Sequence, residues 1–217
     1  MSFFDKFKRQ TQSVEQQSQQ SYIESTPIQQ QTGLLNLQKN DILNLSKGLS
    51  NVKLASGWNI NHLGQDYDLD LCAMLMTDTN RVQDTVYYGK LKARGLELLG
   101  DNLVGSNVGD AETMLVNLEE VNSSITKIVF SVVIYKGSNR RQSFEHVRNA
   151  YVRLVDMSDR QENEICRYNL SEDGGDNTAI VFASLNRTVS GWQFQAIGNY
   201  THASISDLVH RLPDMNI

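Results

Sequence analysis

The chain has 217 residues, 20 Lys and Arg against 25 Asp and Glu, and a net charge of −5. That length supports one substantial core, or one domain with an appendage. The acidic balance, with no Lys/Arg-rich stripe interleaved with aromatics, argues against a nucleic-acid binder. The longest apolar stretch, near residues 128–135, is strand length rather than the ~20 residues a membrane-crossing helix needs.

Taken in chain order, residues 1–38 stand apart in composition. Ten glutamines fall there among Ser and Thr, and such a segment buries too little apolar surface to offset its ordering entropy. It reads as a flexible Gln-rich tail, with Phe3, Phe4 and Phe7 interleaved with Lys6, Lys8 and Arg9 at its start. Residues 39–217 then read as one folded domain. Strands are expected at 42–45, 52–60, 69–76, 85–88, 114–116, 126–135, 150–155, 165–170, 179–185 and 192–197. The run 126–135 is almost wholly β-branched and aromatic, the mark of a strand buried on both faces or at a sheet centre. Single helical turns are expected at 118–121 and 143–147. One helix is expected at 204–212, with Ser204 as N-cap, Ile205, Leu208, Val209 and Leu212 on one face, and Pro213 ending it. Many short strands separated by turn residues predict an all-β fold, an antiparallel β-sandwich with a few short helices.

The chemistry concentrates in Asp66-Tyr67-Asp68-Leu69-Asp70, read with Gly100-Asp101-Asn102 and Gly109-Asp110-Ala111-Glu112. Between Lys53 and Arg81 the chain holds four aspartates and no Lys or Arg, and between Arg94 and Lys127 six acids and again no Lys or Arg. Two readings stay open on the residues alone. Either the acids gather around a hard cation such as calcium, which takes six to eight oxygens at about 2.3–2.6 Å, or they lie on a solvated face or meet a base distant in sequence. An EF-hand is excluded, because counting from Asp66 the turn position falls on Leu71 and the bidentate position on Thr77.

Other constellations are weaker. His62, His146, His202 and His210 lack zinc-ligand spacing, and no nucleophile elbow or phosphate loop occurs. Cys72 and Cys166 lie far apart in apolar segments and read as reduced, buried small side chains of a cytosolic protein.

Leu45-Ser46-Lys47-Gly48, Gly57-Trp58, the 66–70 and 100–105 segments, 109–112, and Val147-Arg148-Asn149-Ala150-Tyr151-Val152-Arg153-Leu154-Val155 together resemble the TerD family of bacterial tellurium-resistance proteins in order and spacing. The resemblance runs from about Leu43 to the C-terminus. It implies a non-catalytic, cytoplasmic, calcium-binding scaffold of a tellurite, phage and colicin stress response. Its implied partners are other proteins of the same resistance operon, with peripheral contact at the inner membrane face. The implied ligands are Asp66, Asp68, Asp70, Asp101, Asn102, Asp110 and Glu112. The chain departs from the family pattern at Val108 and Ala111, where acids are usual, and at Asn59, where the residue after Trp is usually Asp. Fewer carboxylates weaken a cation site. The expectation is therefore one retained calcium site on Asp68, Asp70 and Asp101, completed by Asn102, Asp110 or Glu112. Asp66 stands at its periphery, and a second site is weakened. Two rival readings are a metal-dependent hydrolase using the same carboxylates and a metal-free protein-interaction platform.

Overall fold

A computed structural model describes residues 22–23, 35–60, 67–99, 110–159, 162–169 and 174–217 of the chain. Thirteen strands among them form two sheets. They are β1 (Tyr22–Ile23), β2 (Ile42–Asn44), β3 (Asn51–Ile60), β4 (Leu69–Thr77), β5 (Val82–Val86), β6 (Lys92–Ala93), β7 (Leu96–Leu98), β8 (Glu112–Asn117), β9 (Ile125–Ile134), β10 (Val147–Asp156), β11 (Asn163–Asn169), β12 (Ala179–Thr188) and β13 (Gly191–Thr201). One sheet runs β1-β2-β13-β12-β9-β4-β5 and the other β11-β10-β3-β8-β7-β6. Every pairing is antiparallel except the two-residue β1–β2 contact. The expected sandwich is therefore the observed fold.

The run 126–135 forms β9, between β12 and β4 in the seven-stranded sheet. Its alternation explains its composition. Ile128, Phe130, Val132 and Ile134 enter the core between the sheets, while Val129 and Val133 face the other way. That second face is covered by α2 (Ile205–Arg211), whose Leu208, with Leu212 just beyond it, packs against Met74, Met76 and Val129. Burying each such side chain contributes about 1.5–3 kcal/mol. Ser204 caps α2 as expected: its hydroxyl accepts from the Asp207 N–H, and the Asp207 carboxylate accepts from the Ser204 N–H at 2.8 Å.

Several local expectations shift. The strand expected at 85–88 lies at Val82–Val86, because Tyr87 and Lys90 bond to each other across a tight turn at Tyr88-Gly89. Residues 118–121 form a turn rather than a helix, with Asn117 Oδ1 accepting from the Glu119 and Glu120 N–H groups. Phe144–His146 is a 3-10 turn as expected, and a further short helix, α1 (Gly137–Arg140), lies between two residues of left-handed conformation, Lys136 and Arg141. The packed unit also begins before residue 39. Leu37 is 3% exposed within the core, and residues 35–37 run beside Arg167 with bonds of 2.9 Å from Leu37 N–H and to Leu35 carbonyl. An apolar Leu-Leu-Asn-Leu segment offered that signal, masked by the glutamines before it.

Candidate functional site: buried carboxylates at one end of the sandwich

The end of β3, the starts of β4, β8, β10 and β12, and the end of β9 meet at one edge of the sandwich, as the pairs Ser56–Glu112, Leu69–Ile134 and Ala179–Val133 require. Three carboxylates are buried there: Asp68 at 7%, Asp70 at 2% and Glu112 at 2% exposure. The Asp68 carbonyl accepts from the Tyr135 N–H at 2.8 Å, tying the entry of β4 to the exit of β9. Leu69 and Leu71 point into the core, so the alternation turns Asp70 to the α2 side of the sheet along with Cys72 and Met74.

Glu112 bridges the sheets. It sits opposite Ser56 in the six-stranded sheet, and its Oε2 accepts the backbone N–H of Leu71 in the other. The partner strand β5 begins its pairing only at Ala73, so the Leu71 amide lies on a stretch of β4 edge that β5 does not cover. A buried carboxylate that accepts such an amide satisfies both groups. Burial, and then the charges of Asp70 and Glu112, push the Cys72 thiol far above its ordinary range.

Asp110 goes elsewhere. Arg153 grips it with two bonds, Nε at 2.8 Å and Nη2 at 2.6 Å, while Lys53 Nζ and the Tyr151 hydroxyl each approach to 3.3 Å. Glu162 joins Lys53 at 2.6 Å, and Glu164 links Arg153 to Arg167. For Asp110 the structure takes the second of the two readings left open by the sequence, a base distant along the chain. The bases come from across the sheet: Arg153 pairs with Ala55, and Lys53 with Val155, so both side chains share one outer face. The signal was present in the alternation Val52-Lys53-Leu54 and Val152-Arg153-Leu154.

Of the seven expected ligands, Asp68, Asp70 and Glu112 therefore gather at one end. Asp110 is held by a guanidinium on an outer face. Asp66, Asp101 and Asn102 lie outside the described residues, as does His62. Among the described residues no group of three His, Cys, Asp or Glu side chains could hold a metal ion. The donor chemistry nonetheless suits calcium at Asp68 and Asp70, which offer hard carboxylate oxygen two positions apart. It does not suit calcium at Asp110, both of whose oxygens face cationic donors.

The family model for the TerD domain matches residues 34–212. The chain belongs to the TerD-domain family. Its TerD domain is 36% identical over 173 residues to tellurium resistance protein TerD of Serratia marcescens, covering 76% of this chain and 89% of that protein. Stress response protein SCP2 of Bacillus subtilis is 31% identical over 198 residues, covering 82% of this chain and 98% of its own. The fold is shared with a crystal structure of a homologue of telluride resistance protein TerD from Streptomyces coelicolor, at TM-score 0.64 and 20% identity, over 75% of this chain and 96% of that one. The match beginning at residue 34 agrees with the packing of Leu35 and Leu37. No helix among the described residues of this TerD-domain chain is long and apolar enough to cross a membrane.

Proposed function

We propose that the protein is a non-catalytic calcium-binding interaction protein of a tellurite-resistance and stress response. It works in the cytoplasm with other proteins of its resistance operon and touches the inner membrane face peripherally. The observation that carries the calcium reading is the burial of Asp68 and Asp70, two positions apart at the start of β4. A carboxylate taken from water needs hydrogen-bond donors or a cation to be tolerable. Two neighbours of the same sign raise that demand, and a divalent ion meets both together.

In this reading Asp68 and Asp70 hold the ion, with Asp66, Asp101 and Asn102 supplying the remaining oxygens from the segments on either side. Calcium supplies charge neutralisation and cross-linking of those segments. Glu112 acts from behind by fixing the Leu71 amide and so the path of β4. Asp110 acts as an anchor that returns the chain to β8, not as a ligand. The names of the relatives, tellurium resistance protein and stress response protein, support the biological setting.

The test is the metal content of protein purified without chelator. About one calcium per chain is expected, falling away in Asp68→Asn and Asp70→Asn while Asp110→Asn retains it. Protein that carries no calcium and takes none up on dialysis overturns the reading.

A further inference from the structure

A cleft of about 750 Å³ opens on the outer face of the seven-stranded sheet, between α2 and the β5 turn. This is the size range of small-ligand sites. Asp70 and Val133 contribute to it from the sheet, Tyr87 and Tyr88 from the turn after β5, Tyr135 from the exit of β9, and Ile205 from α2. The three tyrosines form one edge-to-face chain, with ring centres 5.2 Å apart for Tyr87–Tyr88 and 5.6 Å for Tyr88–Tyr135. Tyr88, at the middle of that chain, is 41% exposed.

Two features of this cleft favour a positive guest. Asp70 lies almost wholly buried against it, and a cleft with low-dielectric walls focuses the field of such a carboxylate into its opening. The tyrosine rings present the negative faces that attract ammonium and guanidinium groups. Lys136, itself part of the lining, already exhibits that attraction, and a guest at Tyr135 displaces its ammonium, which stands 5.0 Å from the ring centre. Lys136 holds a left-handed conformation at φ 51°, which L side chains adopt at a cost when the surrounding structure requires it.

We propose that this cleft binds an organic cation, the ammonium or guanidinium end of a flexible chain, with Tyr88 and Tyr135 as its aromatic wall and Asp70 as its charged floor. A free polyamine and a lysine or arginine side chain of a partner polypeptide share that chemistry. The inference goes beyond the calcium reading, in which Tyr88 and Tyr135 have no part; the two share Asp70, so calcium and the organic cation compete for that carboxylate.

The test is amide-resolved NMR of the full chain in calcium-free buffer, titrated separately with spermidine and with N-acetyl-arginine methylamide. Saturable shifts confined to residues 87–88, 135–138 and 205 are expected. Response to spermidine alone identifies a free polyamine, and response to the capped arginine identifies a polypeptide side chain. Tyr88→Ala is expected to weaken binding about three- to fivefold, as loss of one partly exposed cation–aromatic contact does. That variant sits at an exposed position, so it reports even if Asp70→Asn fails to fold. Its calcium uptake is expected to match the wild type, which separates this site's failure from that of the calcium reading. Shifts that never saturate, shifts spread over the acidic surface, or unchanged affinity in Tyr88→Ala overturn the proposal.

Discussion

Burial alone would raise the Asp110 carboxyl, yet the Arg153 guanidinium and the Lys53 ammonium outweigh it and hold the group below its ordinary value of 3.8. Glu164, likewise raised by burial, is pulled below 4.5 by Arg167 and Arg153. A carboxyl depressed in the folded state contributes stability above its unfolded value, and that contribution is lost as pH falls through the folded value. The cluster therefore stabilises the protein at neutral pH and fails below about pH 4. Asp110→Asn is expected to lower stability at pH 7 by roughly 2 kcal/mol, less than a fully buried pair would cost. It should also flatten the acid limb, and urea unfolding at both pH values measures this. Gly57 belongs to the same cluster. A Cβ there would lie 2.6 Å from the Tyr151 hydroxyl, so Gly57→Ala must push Tyr151 off Asp110. A loss of about 1–3 kcal/mol in the same assay is expected. The thiols give a third prediction. Burial pushes Cys166 up to about 12 and Cys72 further. Neither should react with an alkylating reagent in the folded protein at neutral pH, and unfolding should expose both, as mass spectrometry reads directly.

Among the elements, α2 was legible by its helical period and β9 by its almost wholly β-branched and aromatic run. Ser204 with Asp207 three residues on announces a capped helix, and Ser204→Ala should cost about 1 kcal/mol in thermal or urea unfolding. The helix α1 has no such signal: Gly-Ser-Asn-Arg propagates poorly, and its placement depends on left-handed residues at both ends. The short strands β6 and β7 were missed for a related reason. Two or three residues cannot show a period, and their existence follows from pairing, β7 with β8 and β6 with β7. Leu37 packs in the core although it follows a polar tail. Leu37→Ala is expected to cost about 2–4 kcal/mol in urea unfolding.

At the scale of the molecule, the sandwich was readable because strand composition and turn residues agree along the chain, and the ordered motifs pointed to the TerD domain. The candidate site was readable only in part. Asp68 and Asp70 announce themselves by spacing, whereas the fate of Asp110 depends on bases some 40 to 60 residues away in sequence, brought beside it by β3 and β10. Glu112 was expected to offer its oxygens to a cation, and the packing of the two sheets brings one of them, Oε2, to the Leu71 amide. Local pattern fixes which face a side chain takes, while cross-sheet neighbours decide what it meets there.

We propose that calcium completes the acidic end of the sandwich. The direct test is calorimetric titration of chelator-stripped protein with calcium, paired with thermal unfolding. A saturable heat of binding is expected. At a hundredfold excess over the dissociation constant calcium should add about 2.7 kcal/mol of stability, a rise of roughly 5–10 °C in melting temperature. No heat together with an unchanged melting temperature would contradict it.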